Sequence, residues 1–261
     1  MMPLRTVTAT RYVTPLREGG SLPAIIEADD AGTYVLKFRG AGQGRKALVA
    51  ELVAGELARA AGLPVPELVF VELDAELART EPDAEIQSLI LASSGTNLAL
   101  DYLPGAITLD AQAEPPAADL ASAIVWFDAF VMNVDRTARN TNMLFWHRRL
   151  WLIDHGAALY FQYDWDRFAE LSTSRFERIK DHALLGFAGN LKAADATLSR
   201  RLTPEIIAPI VALIPDDWLK PDTIFPTVAE QRAAYLRFLL ARLESPRAFV
   251  EEAVRARSAH V

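Results

Sequence analysis

The sequence predicts an α+β fold in which a strand-rich N-terminal part precedes a mostly helical C-terminal part. Two observations carry this. Short alternating or β-branched runs (Thr6 to Arg11, Ala24 to Glu27, Thr33 to Phe38, Leu68 to Leu73) crowd the first third of the chain. Beyond Asp119 the longer apolar patterns have helical spacing. Strands first and helices afterwards argue for α+β rather than alternating units.

In order, Thr6–Arg11 and Ala24–Glu27 read as strands separated by Arg17-Glu-Gly-Gly-Ser-Leu-Pro. A Gly-Gly-Ser turn either closes a plain hairpin or lets backbone N–H groups approach a phosphate with no Cβ in the way. Asp29-Asp-Ala-Gly32 is a turn, and Lys37 is a charge in an otherwise apolar strand, Thr33–Phe38. Lysine is rarely buried without a partner, so Lys37 either lies at an edge with its head in water or reaches a fixed anion. After the flexible Gly40–Gly44, Arg45 to Ala61 has a helical pattern that ends at Gly62 before Pro64. Glu51 and Glu56 lie on it, as solvated side chains or as partners for a cation.

Leu68–Leu73 is a strand, Asp74–Asp83 is turn-rich, and Ser93–Asn97 reads as a loop before the short strand and turn of Leu98–Gly105. Ala111–Ala118, with Pro115-Pro116, is the best linker candidate. Asp119 is placed to cap a helix running to Val134, and later helices are expected over Asn190–Leu202, Pro204–Leu213 and Val228–Val254, with a frayed tail from Arg255.

The chemistry concentrates in one stretch. The apolar run Ile124–Val134 breaks into a polar loop holding Asp135, Arg136, Arg139, Asn140 and Asn142. A strand (Met143–Trp146), a turn at His147–Arg149 and a second strand (Leu150–Ile153) follow, and the chain then reaches Asp154-His-Gly156. Such a hairpin can hold a cation between an amide oxygen and a carboxylate, with a second carboxylate nearby for a proton. This is the apparatus of Mg-dependent phosphoryl transfer. Singly, Asp135, Asn140 and Asp154 are each what an ordinary turn contains. Their common spacing, with a lysine strand upstream, favours a site.

The order Asp-Arg-x-x-x-Asn followed by Ile-Asp-His-Gly resembles the HipA-like kinases and, more distantly, the phosphatidylinositol 3- and 4-kinases. The resemblance spans roughly Tyr12 to Leu185. It implies a two-lobed protein-kinase-like fold, with a β-rich N-lobe over residues 1–110 and a helical C-lobe over 111–261. ATP and Mg²⁺ are the implied cofactors. By the same resemblance Gly19, Gly20 and Ser21 cover the nucleotide phosphates, Lys37 contacts them, and Glu51 holds Lys37. Asp135 is the catalytic base, Arg136 braces its loop, and Asn140 and Asp154 bind the metal. The acceptor is a hydroxyl, with protein Ser/Thr the first expectation and a lipid or small alcohol the alternative. The chain looks shorter than the HipA toxin, so a toxin role or an antitoxin partner is not implied.

Composition narrows the alternatives. The 261 residues carry a net charge of −7, which argues against general nucleic-acid binding. With no cysteine, disulfides and thiolate metal sites are excluded. The N-terminus lacks the apolar core of a signal peptide and no apolar run is long enough to span a bilayer, so a cytoplasmic protein is expected. Two rival readings are a catalytically silent ATP-binding scaffold and a phosphohydrolase built on Asp135 and Asp154. The second usually needs more carboxylates or histidines, and the four histidines are scattered.

Overall fold

The computed structural model describes residues 4–16, 22–42, 44–244 and 246–260. Strands β1 (Thr6–Pro15), β2 (Ala24–Ala28) and β3 (Thr33–Lys37) form an antiparallel meander, followed by helix α1 (Gly44–Ala60). Then come β4 (Leu68–Leu73), helix α2 (Ala84–Ala92) and β5 (Gly95–Asp101). The five strands close into a barrel in the order β1-β2-β3-β5-β4, sealed by parallel pairing of β1 with β4. Alternation puts Val7, Ile26, Leu36, Val71 and Ala99 inside, and Ile86 and Ile90 of α2 pack onto that core.

A second sheet holds β6 (Ile107–Thr108), β7 (Met143–Trp146) and β8 (Arg149–Leu152) in that order, all antiparallel. Helix α3 (Ala118–Phe130) runs between β6 and β7. After β8 the chain makes short turns and the brief helix α4 (Phe168–Ser172). It finishes with α5 (Leu191–Arg201), α6 (Pro204–Ala212), α7 (Val228–Leu243) and α8 (Ala248–His260). The larger hydrophobic core is continuous from α1 through α3 to these last helices. No helix is long and apolar enough to cross a membrane, among the described residues.

Five expectations change. Helix α3 stops at Phe130: Met132 takes a left-handed φ of 54° and the Asn133 N–H reaches back to the Asp128 carbonyl. Asp119 is not its cap; Ala117 holds that position with no side-chain bond, and Asp119 accepts from Asn190 instead. Ser93–Asn97 is not simply a loop, because its second half opens β5. There the buried Asn97 side chain bonds the carbonyls of Ser93 and Gly95 and the Arg39 N–H.

The Val228–Val254 helix is two helices. Glu244 leaves α7 with extended ψ (145°), and Pro246 can supply no N–H to continue it. Helix α8 then runs through His260, held by buried Ala253 and Ala256 rather than fraying from Arg255.

Candidate active site

Lys37 ends β3 and points between two carboxylates from distant segments. Its Nζ lies 2.5 Å from Glu51 Oε2 on α1 and 2.5 Å from Asp154 Oδ1 beyond β8. Glu51 is fully buried, so the reading of it as a solvated surface glutamate fails. Burial alone would favour the uncharged lysine, but the charges of Asp154 and Glu51 outweigh it and hold Lys37 protonated well above its ordinary range. Burial likewise pushes Glu51 up, and the Lys37 charge overrides that to leave it at about 2. Asp154 adopts a left-handed φ of 55°, a conformation that costs a non-glycine residue energy and concentrates at functional sites. The buried His155 presents Nδ1 at 3.8 Å from Glu51 Oε1.

This arrangement sets an expected outcome for Lys37→Met. Losing the cation leaves Glu51 buried and unpaired, which costs about 3–5 kcal/mol for such pairs and lowers the melting temperature by roughly 6–20 °C for a chain of this size. The pH dependence follows from the sign of each shift. In the native protein Glu51 sits below its unfolded value of 4.5, so its contribution is present above that pH and is lost on acidification towards 2. Without Lys37 the buried carboxyl rises above 4.5, and its penalty grows as pH rises. The melting difference between variant and native protein should therefore shrink from pH 7 to pH 4; a difference constant with pH would mean that Glu51 is not the group left stranded.

The second cluster forms where α3 gives way to the polar loop. Half-buried Asp135 accepts through one oxygen, Oδ2, from the side-chain amides of Asn140 (2.7 Å) and Asn142 (3.2 Å). The turn is tied by the Asn140 N–H to the Thr137 carbonyl at 3.1 Å. Asn140 spends its amide nitrogen on Asp135, leaving its amide oxygen as a donor for a cation.

Arg136 joins the two clusters from beneath, fully buried. Its Nε donates to Asp128 Oδ2 at 2.6 Å, and its Nη1 donates to the carbonyls of Asn142 and Ile153. Asp128 also takes a bond from Asn133 Nδ2 (3.0 Å) and lies 2.8 Å from His182 Nε2. Because His182 Nδ1 accepts the Leu184 N–H, Nε2 carries the hydrogen it gives Asp128. Burial works against the Asp128 charge, and Arg136 and His182 overcome it, depressing this carboxyl below its usual range.

The structure thus brings Lys37, Glu51 and Asp154 together, sets Asp135 against Asn140, and puts Arg136 under both. Gly19, Gly20 and Ser21 lie outside the described residues. Asp128 and His182 went unread as site residues. Asp128 carried the same signal as Lys37, a charge in an apolar run.

A divalent cation fits the donor set. Asn140 and Asp154 offer amide and carboxylate oxygen, the chemistry of a hard ion, and Mg²⁺ typically takes its remaining ligands from phosphates and water. No group of three or more His, Cys, Asp and Glu that could hold a metal by itself occurs among the described residues.

The fold is similar to that of the proinflammatory kinase CtkA of Helicobacter pylori, at 13% identity over 99% of each chain with a TM-score of 0.56. Two structures of the Golgi casein kinase, one with Mn/ADP bound, align less well. Each is 12% identical and 74% covered, over 96% and 97% of this chain, with TM-scores of 0.46 and 0.43. No curated protein sequence matches significantly. The family model of the HipA-like kinases matches residues 10–251, nearly the whole chain. This chain belongs to the HipA-like kinases and is a phosphotransferase.

Proposed function

We propose that this kinase transfers the γ-phosphate of ATP, with Mg²⁺, to a hydroxyl acceptor, with protein Ser/Thr as the first choice and a lipid or small alcohol as the alternative. The observation that carries the reading is the convergence of β3, α1 and the segment after β8 on the Lys37 ammonium. We read residues 1–110 and 111–261 as two lobes with the nucleotide between them.

In this reading the Lys37 ammonium, kept charged and aimed by Glu51, holds the phosphate oxygens. Asn140 Oδ1 and the second Asp154 oxygen would hold the cation, which would supply charge neutralisation on the phosphates. Asp135 takes the proton of the acceptor hydroxyl as its oxygen bonds to the γ-phosphorus and the bond to the departing ADP breaks. Asn140 and Asn142 fix the Asp135 carboxylate by holding Oδ2, which leaves Oδ1 for the acceptor. Arg136 sets the loop's distance from Asp154 through the Ile153 carbonyl. The work is positioning and charge stabilisation. The Gly19-Gly20-Ser21 segment is assigned to the phosphates by family resemblance alone.

Calorimetry with ATP tests the nucleotide and metal assignment. Binding should be measurable with Mg²⁺ and collapse in excess chelator, because Asp154 and the phosphates repel one another without a cation. Undiminished binding in chelator would remove Asn140 and Asp154 from the metal site.

A further inference from the structure

Helix α1 carries Glu51, so whatever fixes α1 fixes the brace on Lys37. The helix begins at Gly44 with a left-handed φ of 68°, the Gly44 N–H bonding the Ala41 carbonyl at 2.8 Å, and has no acidic residue in its first turn. Besides its packing in the core, α1 takes a polar anchor at its first turn from beyond Asp154. Gln162 lies in a single 3-10 turn, Tyr160–Tyr163, and is 0% exposed. Its Nε2 donates to the Lys46 carbonyl in the first turn of α1 at 3.1 Å. Lys46 Nζ donates in return to the Gln162 carbonyl at 2.8 Å and stands 5.0 Å over the Tyr163 ring. Gln162 Oε1 accepts the hydroxyl of buried Tyr235 on α7 at 2.8 Å. The turn cannot slide, because Phe161 stacks on Phe238 of α7 at an interplanar angle of 15° and meets Trp165 edge-on.

A buried glutamine needed only for packing would satisfy its amide within its own neighbourhood. Here both ends of the amide are spent joining α1 to α7, and the lysine bond is reciprocal. We infer that Gln162 is a positioning residue for phosphoryl transfer, holding the start of α1 so that Glu51 stays on Lys37. This rests on the roles proposed above for Lys37 and Glu51.

The test is a double-mutant cycle on γ-phosphate release from Mg·ATP, joined to hydrogen exchange of α1. Gln162→Leu keeps the volume and removes the amide. It should slow release by roughly 10–100-fold, the scale of a small misplacement, and lower amide protection in the first turns of α1 while barrel strands keep theirs. In a Glu51→Gln background the same substitution should cost less than about twofold more, since the two act through one contact. An equal loss in both backgrounds, or native protection of α1, would make Gln162 a core residue and overturn the inference. Native release in Glu51→Gln alone would instead refute the Lys37–Glu51 reading beneath it. Should Gln162→Leu not fold, Tyr235→Phe releases the α7 end of the Gln162 amide with little change in packing and carries the same cycle under the same criteria.

Discussion

Asp135→Asn should slow phosphoryl transfer by about 10²–10⁴-fold, the usual worth of a positioned general base. The substitution keeps the size of the side chain and an oxygen able to accept from Asn140 and Asn142, so the loop retains its shape. What it removes is the carboxylate proposed to take the acceptor's proton. Nucleotide affinity should move far less, because Asp135 contacts neither Lys37 nor Asp154. Asp154→Asn should behave differently, weakening Mg·ATP binding as well as transfer, since it removes charge from both Lys37 and the cation. Single-turnover transfer and calorimetry on both variants separate the two roles. Native transfer in Asp135→Asn would reduce this carboxylate to a turn residue.

A stability effect as large as that at Lys37 is expected at Arg136. Its guanidinium is buried against Asp128 and also caps two backbone carbonyls, Asn142 and Ile153. Arg136→Met strands the Asp128 carboxylate and those carbonyls together, a loss of about 3–5 kcal/mol and a fall in melting temperature of roughly 6–20 °C. Arg136→Lys should recover little, because an ammonium cannot span the carboxylate and both carbonyls as the planar fork does. Replacing both partners, Arg136→Met with Asp128→Leu, should restore part of the stability, since an apolar pair avoids the desolvation cost. It should not restore transfer, because the ties to Asn142 and Ile153 remain broken. Thermal melts and transfer rates on the three variants check this. A double variant as unstable as Arg136→Met would show that the buried pair is not the dominant loss.

Much of the site was readable because its signals are local. Asp135, Asn140 and Asp154 fall within one loop and one hairpin, and Lys37 betrays itself as a charge in an apolar strand. Glu51 was placed on the right helix, but its burial was not readable, since Lys37 and the distant His155–Gly156 segment surround its carboxylate. Asp128 sat in view within an apolar helix, yet its meaning depends on His182, which reaches it from far along the chain. Gln162 gave no signal at all: a neutral amide among aromatics has neither charge nor spacing to mark it. The strands were legible from alternation, whereas closure of the barrel by β1 on β4 is a long-range pairing without a local trace. Asn97 misled because its side chain replaces the turn that Ser-Ser-Gly ordinarily announces, and Pro246 was overlooked inside a long apolar pattern.

The most direct measurement is transfer of labelled γ-phosphate from ATP into a cell extract resolved into protein, lipid and small-molecule fractions. The extract is run with Mg²⁺, with chelator, and with Asp135→Asn in place of the native chain. Label should enter the protein fraction, on Ser or Thr, only with Mg²⁺ and the native carboxylate; entry into the lipid or small-molecule fraction under the same two conditions would move the acceptor but keep the enzyme. No label in any fraction, with Mg·ATP bound by calorimetry, would contradict the proposed transfer reaction and leave an ATP-binding scaffold.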